Sequence, residues 1–175
     1  TASVTYTKSD MDTSMFIIDE NDTLIGYTGT ATTVTVPGYF DGGAVLKIAA
    51  SAFSGNTNIK KITLNKATTT IGEGAFEGCT ALTTISATGV TEIEEEAFKD
   101  CTSLTTVTMS ALLTIGDRAF SGCTALTTLN LSKLNTIGAY AFENSGINTL
   151  TANRLTTIGN GAFCGSAIKS VSLSA

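Results

Sequence analysis

Apolar residues recur along this chain with a long, nearly fixed period. An Ala-Phe pair stands at Ala52-Phe53, Ala75-Phe76, Ala97-Phe98, Ala119-Phe120, Ala141-Phe142 and Ala162-Phe163, with steps of 23, 22, 22, 22 and 21 between the Phe residues. An Ile precedes each pair, at Ile48, Ile71, Ile93, Ile115, Ile137 and Ile158. A second apolar group follows, running from Ile59-x-x-Ile62-x-Leu64 through Leu126-x-x-Leu129-x-Leu131 to Ile168-x-x-Val171-x-Leu173. Its alternation is that of a strand, whose successive side chains point to opposite faces. The Ile-Gly-x-x-Ala-Phe stretch predicts an apolar turn with a short helical or 3-10 piece. Six copies of one frame predict a solenoid, in which each repeat buries its apolar slots only against its neighbours.

A period near 22 with one short strand falls in the leucine-rich class, whose repeats run from roughly 20 to 29 residues. The strands are expected to stack as a parallel sheet on a concave face, with the Ala-Phe segments behind them on the convex side. The block Ile115-Gly116-Asp117-Arg118-Ala119-Phe120-Ser121-Gly122-Cys123-Thr124-Ala125-Leu126 resembles the BspA-type leucine-rich repeat of bacterial surface proteins. The segments Leu24 to Gly29, Val34 to Pro37 and Val45 to Phe53 are similar to that family's usual opening, so the resemblance spans about residues 24 to 175. Glu94 and Ala49 stand where the frame has Gly, and Ser145 and Ser166 where it has Cys. The resemblance implies a leucine-rich-repeat solenoid of the α/β type, a right-handed superhelix with helical or 3-10 turns on its convex side. It also implies a non-enzymatic module at the cell surface or secreted, mediating adhesion to host matrix proteins, glycans or other cells. The alternative is a structural spacer that carries another domain of a longer protein.

Residues 1–28 lie outside the frame. Met15-Phe16-Ile17-Ile18, a polar Asp19-Glu20-Asn21-Asp22 turn and Thr23-Leu24-Ile25-Gly26-Tyr27 predict a β-hairpin. Covering the first rung of a solenoid is its expected role, which leaves residues 29–175 as the repeats. The first residue is Thr1, and Val171 to Ala175 end on a strand position. The expectation is a piece of a longer protein, its signal peptide removed or outside the sequence.

Composition narrows the function classes. The longest apolar run is four residues, far short of the roughly twenty that span a bilayer, so no membrane insertion is expected. A net charge of −5 argues against a nucleic-acid partner, whose affinity comes from Lys and Arg on phosphates. No His is present, which removes the usual general base and the commonest metal ligand. No catalytic residue, cofactor or metal site is expected. Cys79, Cys101 and Cys123 occupy one slot in three successive repeats and predict a buried apolar ladder; Cys164 occupies another slot.

Short matches to catalytic or ligand motifs have plainer readings. Ser166-x-x-Lys169 has the spacing of a serine acyl-enzyme motif, but Ser166 fills the Cys slot and Lys169 enters a strand. Asp12-Thr13-Ser14 resembles one half of an aspartic-protease site without the second carboxylate. Asp19-x-Asn21-x-Thr23 alternates oxygen side chains as calcium loops do, yet lacks their Gly and distal Glu, and a hairpin turn accounts for it. Glu92, Glu94, Glu95 and Glu96 are read as a solvated acidic patch on the convex side.

The candidate site lies on the strands. Their outward residues form a ladder of hydroxyls and amides, from which Thr63, Thr84, Ser86, Thr106, Thr108, Thr128, Asn130, Thr149 and Thr151 are the candidate contacts. Lys66, Lys133 and Arg154 flank one margin, and Lys133 and Arg154 join the candidate set. The partner expected is an extracellular protein or glycan. Thr is also a good strand former whose exposed hydroxyl keeps a sheet soluble, and 33 Thr residues fit either role. Regular Thr-x-Thr rows resemble ice-binding solenoids too, but Lys61 and Asn130 interrupt them.

Overall fold

The computed structural model describes residues 13–38 and 43–173. The chain enters through a 3-10 turn at Thr13–Met15 and a hairpin of β1 (Phe16–Ile18) and β2 (Thr23–Tyr27), antiparallel with Phe16 opposite Tyr27. The Asp19 carboxylate holds the turn by accepting the N–H groups of Asn21 at 2.9 Å and Thr23 at 3.0 Å. This is the Asx chemistry that makes Asp a turn residue.

Every later repeat contributes two strands. Strand β3 (Thr33–Thr35) lies on one arc and β4 (Lys47–Ile48) on the other. The alternation continues through β5 (Lys61–Thr63), β6 (Thr70–Ile71), β7 (Thr84–Ser86), β8 (Glu92–Ile93), β9 (Thr106–Thr108) and β10 (Thr114–Ile115). It finishes with β11 (Thr128–Asn130), β12 (Thr136–Ile137), β13 (Thr149–Thr151), β14 (Thr157–Ile158) and β15 (Ser170–Ser172). The result is a parallel β-solenoid of about seven turns. The two-residue strands form one continuous eight-stranded sheet headed by the hairpin, in the order β1-β2-β4-β6-β8-β10-β12-β14. The three-residue strands form a second arc, divided into β3-β5-β7-β9 and β11-β13-β15.

This corrects the expectation of an α/β-type solenoid with helical or 3-10 turns on the convex side. The Thr-Ile segments are strands, and among the described residues the only helix is the 3-10 turn of the entry segment. The reason is a pair of left-handed residues in each repeat. The residue before each Ala-Phe has positive φ, whether Ser51, Gly74, Glu96, Arg118, Tyr140 or Gly161. So does the residue two after each Phe, at Gly55, Gly78, Asp100, Gly122, Asn144 and Gly165. A right-handed helix cannot pass through such residues, so the Ala-Phe segment is limited to a single turn. Its N–H groups turn to the next repeat instead: Phe53, Phe76, Phe98, Phe120 and Phe142 each donate to an Ala carbonyl at 2.8 Å.

The core is a set of columns. Rings run from Phe16 through Tyr27 and Phe53 to Phe163, and the Phe–Phe pairs have centroids 4.9–5.5 Å apart and planes within 9°. Parallel displaced rings at this distance add roughly 0.5–1.5 kcal/mol per pair beyond burial. The Ile slot forms a second column, completely buried from Ile48 to Ile137. Behind the rings, the Cys79, Cys101 and Cys123 thiols each donate to a Phe carbonyl of the preceding repeat at 3.1 Å. Where Ser replaces Cys, the hydroxyl of Ser145 or Ser166 turns back to the Phe of its own repeat, at 2.8 and 2.7 Å.

Candidate binding face

The three-residue strands place the candidate contacts in two parallel rows. In register, Thr33, Lys61, Thr84 and Thr106 form one row, and Thr35, Thr63, Ser86 and Thr108 the other. Beyond them stand Thr128, Thr149 and Ser170 beside Asn130, Thr151 and Ser172. The intervening Ile62, Ile85, Leu129 and Leu150 point into the core. Neighbouring rungs stand about 4.8 Å apart.

The hydroxyls divide by position. At the strand entries, Thr83 donates to the Lys60 carbonyl at 2.8 Å and Thr105 to the Thr83 carbonyl at 3.1 Å, so these side chains tie one rung to the next. Within the strands, the side chains of Thr63, Thr84, Ser86, Thr108, Thr128, Asn130 and Thr151 make no hydrogen bond to a described residue and remain open to an outside partner. Thr106 lies 3.5 Å from the Thr105 hydroxyl, and Thr149 donates to the Asn148 side chain at 3.0 Å. Lys133 and Arg154 sit in equivalent positions of adjacent rungs just past the strands, exposed and outside any ion pair among the described residues. The Asn135 amide, oriented to satisfy both of its atoms, donates to the carbonyls of Lys133 at 3.1 Å and Arg154 at 3.3 Å, fixing this pair of turns.

One feature of the face has no counterpart in the sequence pattern. Strands β9 and β11 do not pair, although β10 and β12 pair on the opposite arc and the Phe column passes the same level unbroken. In intact joints Ala87 N–H reaches the Thr108 carbonyl at 2.9 Å and Leu131 N–H the Thr151 carbonyl at 2.8 Å. The equivalent bond from Met109 is not formed. Val107 is accordingly half-buried, where Ile85 and Leu129 are buried.

The remaining chemistry-bearing groups serve the fold. Glu94, in a slot otherwise filled mainly by Gly, accepts the Glu73 N–H at 3.1 Å and pairs with Lys47 two repeats away at 2.8 Å. Its neighbours keep the Gly because a β-carbon at Gly116 would lie 2.7 Å from the Glu94 carbonyl carbon. Glu96 and Glu77 both pair with Lys99 at 3.1 Å, and their hydrogen bonds, Glu96 first, raise the Lys99 pKa. Thus two of the four expected patch residues, Glu94 and Glu96, are engaged. Burial pushes the Cys79 thiol up to about 11 and Cys123 to about 12, and raises Cys101 as well; Cys164 is exposed. Among the described residues, no group of His, Cys, Asp or Glu could hold a metal ion, and no helix is long and apolar enough to cross a membrane. Asp12, part of the protease-like triplet, lies outside the described residues.

Comparison with known proteins places this architecture. A T. pallidum leucine-rich repeat protein (TpLRR) is 26% identical, with a TM-score of 0.77 over 89% of this chain and 88% of that one. A leucine-rich cell surface protein of Faecalibacterium prausnitzii is 25% identical, with a TM-score of 0.62 over 89% of this chain, which spans 52% of that protein. The pneumococcal vaccine antigen PcpA shares the fold at 24% identity and a TM-score of 0.71, over 86% of this chain and 42% of its own. Among curated proteins none matches the chain. Residues 45–174 match the description "BspA type leucine rich repeat region" in six copies. The chain belongs to the BspA-type leucine-rich repeat family.

Proposed function

We propose that this chain is a non-enzymatic binding module of a surface or secreted bacterial protein, and that its three-residue-strand face makes the contact, as in adhesion to matrix proteins, glycans or other cells. The observation that carries this reading is the division of the hydroxyls. Thr83 and Thr105 are consumed by the fold, whereas the strand positions between them present open donors and acceptors on a regular array. Stacked repeats commonly use such extended faces for partners. The absence of Trp, Tyr and Phe from the described part of this face predicts a modest affinity for each contact, increased by multivalency. The cell-surface description of the F. prausnitzii relative supports the compartment.

The test is binding of the chain to a panel of matrix proteins, glycans and whole cells, alongside the triple variant Thr84→Glu, Thr106→Glu, Thr128→Glu. These side chains stand outside the core, so the variant is expected to fold while losing retention on whichever partner is found. Equal retention by the variant would move the site elsewhere. No retention on any panel member would favour the spacer reading.

A further inference from the structure

The net charge of −5 conceals an uneven distribution of carboxylates among the described residues. The arc containing the three-residue strands comprises residues 31–37, 57–68, 80–90, 102–112, 124–134, 146–155 and 167–173. It carries Lys60, Lys61, Lys66, Lys133, Arg154 and Lys169, and not one Asp or Glu. The twelve carboxylates among the described residues all lie on the hairpin and the turn arc. Cations there are engaged: Lys47 and Lys99 in ion pairs, and Arg118 over the Tyr140 ring at 5.2 Å. The six on the strand arc are all exposed, and none forms an ion pair with a described residue.

Their placement is ordered. Lys60 and Lys169 share the slot at the strand entries, as the rung-to-rung bonds from Thr83 N–H to the Lys60 carbonyl and from Lys169 N–H to the Asn148 carbonyl indicate. Lys66, Lys133 and Arg154 stand past the strand ends, with Lys133 and Arg154 about one rung, ~4.8 Å, apart. A floor of hydroxyls and amides, with Lys61 in it, therefore lies between the Lys66/Lys133/Arg154 margin and an opposite edge where Lys60 and Lys169 stand five rungs apart. Such a surface complements an elongated ligand that is rich in hydroxyls and carries negative charge at intervals. Base recognition on single-stranded nucleic acid uses aromatic platforms, and peptide hot spots use aromatic and Arg anchors in pockets. The described arc holds no aromatic side chain.

We infer that this face binds an acidic polysaccharide, its sulfate or carboxylate groups on the Lys66/Lys133/Arg154 margin and its sugar hydroxyls on the threonine floor. The inference rests on the binding-module reading above and names its ligand class. Arg154 can hold a sulfate or carboxylate through two N–H donors. Surface charge pairing is screened by salt, so affinity falls as ionic strength rises.

The experiment measures binding of the intact chain to heparin as a sulfated probe, to hyaluronan as a carboxylated one and to neutral dextran, with poly-glutamate and single-stranded DNA as competitors. Three proteins are compared: wild type, the triple variant Lys66→Ala, Lys133→Ala, Arg154→Ala, and a turn-arc control, Lys47→Ala, Lys99→Ala. Heparin is expected to bind in a salt-sensitive manner and dextran not at all. The triple variant should weaken heparin binding by roughly tenfold or more, and the control should leave it unchanged. Circular dichroism of both variants checks that the fold is retained. Failure of heparin and hyaluronan to bind, equal loss in the control, or displacement by poly-glutamate or DNA as effective as by free heparin would each overturn the inference. If the acidic glycans fail while a matrix protein is still retained through Thr84, Thr106 and Thr128, only this inference falls. If the panel fails as well, the module reading falls with it.

Discussion

On the turn arc, the strand-entry threonines and several charged side chains are taken up by neighbouring repeats, while the in-strand hydroxyls of Thr70, Thr114, Thr136 and Thr157 make no hydrogen bond to a described residue. Thr91 donates to the Thr69 carbonyl at 3.2 Å, Thr156 to the Asn135 carbonyl at 3.1 Å, and Glu94 spans from Lys47 to the Glu73 N–H. On the strand arc the same residue type, at Thr63, Thr84, Thr108 and Thr128, has no partner among the described residues, and the cations beside it are unpaired. Both arcs rest on the same columns of Phe and Ile. The difference teaches that threonine content alone does not locate a site in a repeat protein. What matters is whether each hydroxyl points along the stack, where the next rung's carbonyl takes it, or away from it.

The largest effect expected from breaking this comparison is in the shared column. Phe98 is completely buried between Phe76 and Phe120. Phe98→Ala should cost about 3–5 kcal/mol in urea unfolding, whereas Thr106→Ala on the face should stay within about 0.5 kcal/mol. A comparable loss from both would contradict the assignment of Thr106 to an open surface.

Next in size is a pH effect carried by the thiol column. Cys79 is raised from its ordinary 9.0 to about 11 and Cys123 to about 12, chiefly by burial. Above about pH 9 the unfolded chain releases thiol protons that the folded chain keeps. The unfolded state then binds fewer protons, so stability falls as pH rises from 9 toward 12. Denaturation midpoints measured across that window should fall, and Cys79→Ala, Cys123→Ala should flatten the decline. A thiol reagent near neutral pH should label Cys164, the exposed cysteine, well before the other three.

The smallest effect is at the ion pair that distinguishes the turn arc. Lys47 and Glu94 keep side-chain exposures of 42% and 33%, so Lys47→Ala should cost no more than about 1 kcal/mol. Lys133→Ala, with no ion-pair partner to lose, should cost less still. Parallel thermal melts of the two single variants order them.

Much of the fold was legible in the sequence. The Ala-Phe period, the Leu-x-x-Leu-x-Leu strand and the hairpin around Asp19-Glu20-Asn21-Asp22 each follow from spacing, and the structure contains all three. The second sheet was not legible, because two residues such as Thr114-Ile115 are too few to show a strand's alternation. The left-handed positions were marked by Gly55, Gly78 and Gly122 but hidden in repeats that fill them with Asp100, Glu96 or Tyr140. Without them, Ile-Gly-x-x-Ala-Phe reads as one helical turn. Lys66, Lys133 and Arg154 stood out along the chain, but the clearing of carboxylates from their arc among the described residues emerged only once each residue was assigned to an arc.

On the proposed reading the strand arc receives the partner while the turn arc holds the fold. Hydrogen–deuterium exchange of the intact chain, with and without a saturating heparin oligosaccharide, tests it most directly. Slowed exchange is expected in segments 58–67, 125–134 and 146–155, with segment 92–100 of the turn arc unchanged. Protection confined to the turn arc, or none anywhere, would contradict it.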